Sequence, residues 1–357
     1  MTIVTIIAAI LLFSLLIFVH ELGHFMAAKL SGVQVNEFAL FMGPAIFKKK
    51  VGETLYSIRC IPIGGYCAME GEDGEGDAEN PRSFQKAAWW KRLIILVAGA
   101  AMNFICGVLI FAIVYMPVAA IAEPVIKEFE QCSLLDDAGL QVGDRFLEID
   151  GEKIYVSSDF SLILNLNGGD VHDVVVERAG QKVVLEDFPL ALHSHTNEDG
   201  TKSSHYGIAF EVVEPTFGRK LQYVWENTLD TLRNVRLSLQ MLVTGKASVS
   251  EVSGPVGIVG MMVDVAESSK SFWAATINML YFGGFIAINL AVMNLLPIPA
   301  LDGGRVVGLL ITTAIEAVTK KKLDPKYEGY LHGAGMILLL ALMALIMFKD
   351  IFTIFKG

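Results

Sequence analysis

Four long apolar stretches constrain this chain more than any other feature of its sequence. They cover residues 3–28, 93–121, 275–298 and 331–348. A helix needs about 20 apolar residues to cross the hydrocarbon core of a bilayer, and each stretch is close to or above that length. Only 18% of the residues are charged, whereas soluble domains carry about a quarter. The sequence therefore predicts a polytopic α-helical membrane protein with about four transmembrane helices.

The charges between these stretches predict which side of the membrane each loop occupies. Residues 29–92 and the loop after the third stretch are rich in lysine and arginine, whereas residues 122–215 carry an acidic excess. Cytoplasmic loops favour basic residues, so we expect both basic loops in the cytoplasm and residues 122–215, with both termini, outside. An acidic exterior argues against nucleic acid as a partner. The first stretch lacks the basic start of a signal peptide, so we expect it to be retained.

The polar regions predict a domain organisation. The N-terminal membrane region (1–121) contains a weakly alternating segment at 53–70, broken by Pro62 and a Gly-Gly pair, which is typical of a short β-hairpin or sheet. An α+β domain follows, then a helical region, then a C-terminal membrane region; these cover residues 122–215, 216–274 and 275–357. The strand candidates of the α+β domain are residues 124–129, 145–154, 173–188 and 206–213. Residues 191–205 are polar and predict a surface loop, and 216–247 predict a helix.

The first apolar stretch contains His20-Glu21-Leu22-Gly23-His24, an HExxH motif. Positions i and i+4 lie on one face of a helix, so the two imidazoles can share one zinc ion. Zinc lowers the pKa of a bound water to about 7, and the glutamate beside it can take the proton. From Ile3 to His20 a helix rises about 25 Å, which places the motif toward the cytoplasmic face. The alternative is a histidine pair that bonds neighbouring helices.

A catalytic zinc ion needs a third protein ligand and an open position. Asp302 is the candidate, because it follows the third stretch at the same predicted depth, between prolines and the Gly303-Gly304 pair. A turn or cap role is the alternative for Asp302, and His332 is the competing ligand. Asn294 lies two turns earlier, where its amide could hold the substrate backbone or the developing oxyanion, or could bond another helix.

Together these residues resemble the site-2 protease family of intramembrane zinc metalloproteases. HELGH at 20–24 matches its first motif, and Asn294-x-x-Pro-x-Pro-x-Leu-Asp302-Gly matches its second. SGPVGI at 253–258 and AGAAMNF at 98–104 are similar to further signatures of its RseP-type bacterial branch. Residues 137–154, DAGLQVGDRFLEIDGEKI, resemble the PDZ domain which that branch carries outside the cell.

The resemblance implies one Zn²⁺ per chain, held by His20, His24 and Asp302, with Glu21 as the catalytic residue and Asn294 positioning the substrate. It also implies a membrane-facing β-element that guides an extended substrate strand. An edge strand can pair with such a segment and expose its peptide bonds. The residues that it assigns to this contact are Ile63, Gly64 and Gly65.

The resemblance further implies a multi-pass protein of the bacterial cell membrane that cuts single-pass membrane proteins. Its expected substrates are anti-sigma factors and remnant signal peptides, after a first cut by a site-1-type protease. The chain has room for one PDZ domain rather than two in tandem, which leaves open whether that domain filters substrates by size or binds a cleaved C-terminus. Gly207 and Ile208 would belong to its peptide-carboxylate loop.

Two other functions compete with proteolysis. A non-catalytic membrane scaffold could recruit partners through the PDZ domain, although it would have no need of Glu21. A metal transporter could use the histidines as a transit site, but the sequence shows no inverted repeat of paired broken helices.

Overall fold

A computed structural model describes residues 2–72, 80–129, 139–196, 202–246, 254–320 and 326–356. The helices and strands follow one another as α1 (Thr2–Ser31), β1 (Val35–Val51), β2 (Thr54–Met69), α2 (Trp89–Tyr115), β3 (Ile121–Phe129), β4 (Arg145–Ile149), β5 (Glu152–Lys153), α3 (Ser157–Asn167), β6 (Val171–Arg178), β7 (Gln181–Pro189), β8 (His193–Thr196), β9 (Lys202–His205), β10 (Ile208–Val213), α4 (Phe217–Thr244), α5 (Pro255–Ser268), α6 (Phe272–Asn294), α7 (Asp302–Thr319) and α8 (Lys326–Lys356).

The chain divides into two compact units. The first, which we call the membrane unit, comprises Met1–Phe111 and Asn234–Gly357. The second, which we call the β unit, comprises Ala112–Arg233.

Within the described residues, four helices are long and apolar enough to cross a membrane, which confirms the predicted polytopic architecture. They are Ile3–Ser31, Trp89–Tyr115, Phe272–Asn294 and His332–Asp350. Two predicted ends were too late. The second helix stops at Tyr115 because Ile121 already pairs with Val213 in the β unit. The third stops at Asn294, shortly before Pro297, whose ring removes a backbone donor.

The β-element of the membrane unit is larger than the predicted 53–70 segment. It begins at Val35, and the segment Glu37–Leu40 pairs on both of its sides, with residues 65–68 and with residues 55–58. Ala45–Val51 pairs in turn with Thr54–Arg59. Two long strands therefore build a sheet four segments wide, with residues 65–69 at one edge. Positive φ angles at Gly43 and Gly64 allow the strands to bend.

A shared apolar core joins this sheet to the helices of the membrane unit. Phe38 and Cys67 from the sheet pack with Ala28 of α1, Ile95 of α2 and Leu309 of α7. Helix α7 lies in a region that the sequence predicted as a basic loop, and that expectation was wrong. The apolar residues of α7 lie on one face of an 18-residue helix. Such an amphipathic helix does not have the long continuous apolar run by which the membrane spans were recognised.

The β unit has its own core. Its described residues form a sheet in the order β10-β3-β4-β6-β7, with β5 beside β4, and all four predicted strand regions are present. Helix α3, which the sequence did not predict, contributes Phe160 to a core with Ile126, Phe146 and Val174. The assignment of this unit to the PDZ class stays a prediction.

Two further expectations can be compared with the structure. The predicted helix at 216–247 is present as α4. The predicted polar loop at 191–205 instead contains the paired strands β8 and β9. Backbone hydrogen bonds of a hairpin need no apolar pattern, so the composition did not reveal them. Residues 130–138, which include the start of the 137–154 motif, lie outside the described residues.

Candidate active site

The two histidines of the HExxH motif lie on one face of α1, as their spacing requires. Their Nε2 atoms are 3.1 Å apart, and the rings meet edge to face with centroids 4.7 Å apart. His24 is buried within the membrane unit. The helix therefore presents two nitrogen ligands to one point.

Asp302 reaches the same point from another part of the chain. Its Oδ2 lies 3.2 Å from His20 Nε2 and 3.3 Å from His24 Nε2. Asp302 is the first residue of α7, where the helix dipole favours a carboxylate. The turn that delivers it folds tightly, since a Cβ on Gly303 would lie 2.2 Å from the Leu295 carbonyl oxygen.

These three atoms form a triangle with the dimensions of a zinc site. Ligands about 2.0–2.1 Å from a tetrahedral zinc ion lie about 3.3 Å from one another. The three distances, 3.1, 3.2 and 3.3 Å, match one face of such a tetrahedron. The donor set of two imidazoles and one carboxylate is one that zinc accepts, and it leaves the fourth corner open. The residues therefore fit a catalytic zinc ion.

The charge of Asp302 also suits a metal ligand. Burial raises the pKa of its carboxyl, but the hydrogen bonds and charge of His20 and His24 outweigh burial and hold that pKa below its usual range. The carboxylate is therefore ionised at neutral pH.

The competing ligand, His332, has a different place. Its Nδ1 accepts a hydrogen bond from the backbone N–H of Ala300 at 3.2 Å, and it is not part of the three-residue cluster. Ala300 has a φ of 90°, a strained value for a residue with a side chain. His332 thus supports the turn that leads to Asp302.

Polar neighbours orient both imidazoles. His24 Nδ1 lies 2.8 Å from the Ile95 carbonyl oxygen, so it donates its proton there and leaves the Nε2 lone pair for a metal. The amides of Asn103 and Asn294 lie 3.4 and 3.3 Å from His20 Nδ1. An amide presents its oxygen after a half turn, so either asparagine can accept the His20 Nδ1 proton.

Asn103 is a residue of this site that sequence reasoning missed. In the sequence it is only part of the AGAAMNF segment, to which no place at the metal site was assigned. The structure places it almost fully buried and next to His20. A polar residue inside an apolar span was the available signal, because such residues are functional more often than not.

Glycines allow α1 and α2 to meet at the motif. A Cβ on Gly99 would lie 2.3 Å from His24 Nε2, and a Cβ on Gly23 would lie 2.4 Å from the Ala98 carbonyl oxygen. Both distances are far below contact, so neither position accepts a side chain. Gly23 of HELGH and Gly99 of AGAAMNF thus together allow α1 and α2 to pack closely at the motif.

The β-element passes beside Glu21. A Cβ on Gly65 would lie 3.4 Å from Glu21 Cγ, which puts the edge segment of β2 against the glutamate. Gly64 has a φ of 80° and packs against Met42, and Ile63 precedes it in β2. The structure therefore brings the predicted substrate-contact segment to the HExxH motif.

Gly207 and Ile208 belong to the β unit. Gly207 is buried with a φ of 71°, and Ile208 begins β10, where it pairs with Phe129. Their predicted role in a peptide-carboxylate loop stays a prediction.

An ion pair that the sequence did not suggest connects the β-element to α7. Arg305 contacts Glu72, which follows β2, and Arg305 stands one helical turn after Asp302. The pair ties the end of the edge segment to the helix that carries Asp302.

Comparison with known sequences identifies the family of the chain. The profile of peptidase family M50 matches residues 8–342, which is most of the chain. The chain belongs to peptidase family M50. It is also 36% identical over 348 residues to a protein of Clostridium perfringens, covering 97% of this chain and 98% of that one.

Two relatives carry informative names. The zinc metalloprotease RasP of Oceanobacillus iheyensis is 30% identical over 432 aligned positions, covering 98% of this chain and 99% of that one. The regulator of sigma-W protease RasP of Bacillus subtilis is 27% identical, with the same coverage of both chains. As an M50 member with four apolar helices among its described residues, the chain is an intramembrane zinc metalloprotease. This class favours proteolysis over the scaffold and transporter alternatives.

Proposed function

We propose that this M50 protease cuts peptide bonds within the transmembrane segments of single-pass membrane proteins. His20, His24 and Asp302 would hold the zinc ion, and Glu21 would move the protons. The observation that carries the proposal is the triangle of ligand atoms, 3.1–3.3 Å on each side. Two of its corners lie on the apolar helix that also bears Glu21, and the third is Asp302 of α7.

Each side chain has a distinct task in this proposal. Zinc, when bound, activates water and polarises the peptide carbonyl. The Glu21 carboxylate takes a proton from the attacking water and passes it to the leaving amine. Asn294 is close enough to His20 to orient it; its amide can also hold the substrate backbone.

The edge of the β-element is the proposed platform for the substrate. A helical peptide bond is hidden within its own hydrogen-bond ladder, so a membrane-spanning substrate must unwind before it is cut. The edge segment at residues 65–69 offers backbone groups for pairing with an extended strand. Because Gly65 lies against Glu21, a strand paired near it would reach the catalytic carboxylate.

The β unit is proposed to be a single PDZ domain outside the cell, with both chain termini also outside. The charge bias of the loops supports this orientation. Anti-sigma-factor-like proteins and remnant signal peptides are the proposed substrates, after an upstream site-1-type cut. The name of the Bacillus subtilis relative, a regulator of sigma-W protease, supports the first of these classes.

The test compares wild type with Glu21→Gln, using a labelled single-span helix that is pre-trimmed on its outer side. The variant should retain zinc and lose at least about a thousandfold in cleavage rate, since the proton carrier is gone. Glu267→Gln, an exposed carboxylate on α5, serves as the control and should cleave normally.

Zinc content, cleavage position and chelator sensitivity complete the experiment. Cleavage within the span by wild type alone, stopped by a zinc chelator, supports the proposal. Undiminished turnover by Glu21→Gln would show that the glutamate has another role.

A further inference from the structure

A basic pocket lies where α1 ends and α2 begins. It has a volume of about 360 Å³. Its walls include Ser31 and Gly32 from the end of α1, and Arg82, Lys86 and Lys91 from the connection to α2 and its first turn. We call it the basic pocket.

The charge of this pocket is strongly positive. Three of its lining residues are cationic and none is acidic. One of these cations, Arg82, contacts the Glu53 carboxylate at 3.0 Å, but Glu53 also contacts Lys29 at 2.5 Å. The charge of Lys29 offsets that of Glu53, so the three lining cations remain a net positive charge. A small polar cavity with this charge favours an anion.

The cations are held in place by the end of α1. Lys91 Nζ donates to the Ser31 carbonyl at 3.0 Å, and Arg82 Nε donates to the Gly32 carbonyl at 3.3 Å. These bonds fix two positive charges at the pocket wall without neutralising them. Ala87 and Ala88, which directly precede α2, also line the pocket, so the N-terminal end of that helix lies beside it and favours negative charge.

The ends of two candidate membrane spans flank the pocket. One candidate span ends at Ser31 and the next begins at Trp89. Trp89 and Trp90 are half exposed, at 50% and 49%, as tryptophans at a membrane interface are. Ile94, one turn further along α2, is 51% exposed and continues an apolar track away from Trp90.

We infer that the basic pocket binds the phosphate headgroup of an anionic phospholipid. The phosphate lies among Arg82, Lys86 and Lys91, and an acyl chain follows α2 past Trp90 and Ile94. A basic pocket between membrane helices on the cytoplasmic side has the chemistry that recognises such lipids. The apolar track favours a lipid over free phosphate, because only a lipid has an acyl chain that can contact it.

The test measures lipid retention by the purified full-length protein with native mass spectrometry. Phosphatidylglycerol and phosphatidylcholine of identical acyl chains are the two probes. Wild type should retain phosphatidylglycerol preferentially. In the triple variant Arg82→Gln/Lys86→Gln/Lys91→Gln the preference should be at least tenfold smaller, because each removed charge weakens binding of the anionic lipid about fivefold.

A matched control removes the same number of charges elsewhere. Lys48, Lys49 and Lys50 are exposed on β1 and lie outside the pocket. The Lys48→Gln/Lys49→Gln/Lys50→Gln variant should keep the preference for phosphatidylglycerol. An equal loss in both triple variants overturns the proposal, because it would show general attraction to negative charge.

Two further arms keep the result decisive. Arg82 and Lys91 also bond the end of α1, so the triple variant removes structural contacts as well as charge. Lys86 is exposed and is not one of these two contacts. The single variant Lys86→Glu should therefore fold normally and still reduce the preference about fivefold or more. Unchanged retention by Lys86→Glu contradicts the proposal. Full displacement of phosphatidylglycerol by millimolar inorganic phosphate also overturns it, in favour of a free-phosphate site.

Discussion

The membrane unit and the β unit are each stabilised internally, and the kind of packing differs between them. In the membrane unit α1 and α2 meet through glycines, with no room for a Cβ at Gly23 or Gly99, while many large apolar side chains face outward. In the β unit, large side chains such as Phe146 and Phe160 fill a closed core. Lipid is as apolar as leucine, so helices within it associate by close packing rather than by hiding apolar surface from water.

The two units also use buried polar groups differently. In the membrane unit, His24 and Asn103 are buried and both lie at the metal cluster. In the β unit, buried charges form ion pairs between elements, such as Arg233 with Asp159 at 2.8 Å and Arg219 with Glu123 at 2.6 Å. The buried polar groups of His24 and Asn103 therefore belong to the candidate site, whereas these two ion pairs join elements of the β unit.

Close packing in the membrane unit predicts the largest effect. In Gly99→Ala the new Cβ would lie 2.3 Å from His24 Nε2, so the helices must separate and the ligand triangle must open. We expect zinc loss and a fall in cleavage rate of about 100-fold or more, because small displacements at a reacting centre have that effect. Metal analysis and the cleavage assay measure both.

The control for this variant is Gly260→Ala, on α5 of the same unit. A Cβ there meets nothing within 4 Å, so zinc content and cleavage should not change. Equal losses in both variants would contradict the close-packing explanation.

Core packing in the β unit predicts the next effect. Phe146→Ala should lower the free energy of unfolding of the β unit by about 3–5 kcal/mol, because Phe146 is fully buried. Zinc content should stay at one ion per chain if the units are stabilised independently. Limited proteolysis measures the free energy of unfolding, and metal analysis measures the zinc content.

Val171→Ala is the matched control, since Val171 is 55% exposed on the same sheet, and it should change stability little. Parallel loss of zinc in Phe146→Ala would break the contrast between the two units.

The polar support of the ligands predicts a smaller effect. Asn103→Ala removes one of the two amides beside His20 Nδ1, so zinc affinity should fall about 10- to 100-fold. Competition with a chromogenic chelator measures this affinity. Asn278→Ala removes an amide of α6 that bonds Ser269 instead, and it should leave the affinity unchanged.

The smallest effect concerns the strained turn before Asp302. Ala300→Gly should raise the stability of the membrane unit by about 0.5–1 kcal/mol, because glycine adopts a φ of 90° without strain. Ala314→Gly, within α7, should lower it by about 1 kcal/mol. The thermal midpoint should therefore move in opposite directions in the two variants; a decrease in both would show that the Ala300 conformation carries no strain.

The sequence by itself determined the features that depend on local spacing. The i, i+4 spacing of His20 and His24 placed both on one helix face, and the apolar runs gave four candidate spans. Short β-like runs separated by turns predicted the strands of the β unit. Asp302 could be named because it directly follows the third apolar stretch, between prolines and a Gly-Gly pair, and because its motif matches the family's second signature. Each of these signals lies within about 30 consecutive residues, where chain geometry alone relates one side chain to the next.

Only the tertiary structure decided which distant residues meet. Asn103 and Asn294 stand 83 and 274 positions from His20, yet both amides lie beside its Nδ1. The double pairing of β1, the contact between Glu72 and Arg305, and the gathering of three cations at the end of α1 are of the same kind. No periodicity encodes such contacts, because they arise when glycines and turns let separate elements approach and the remaining polar groups find partners.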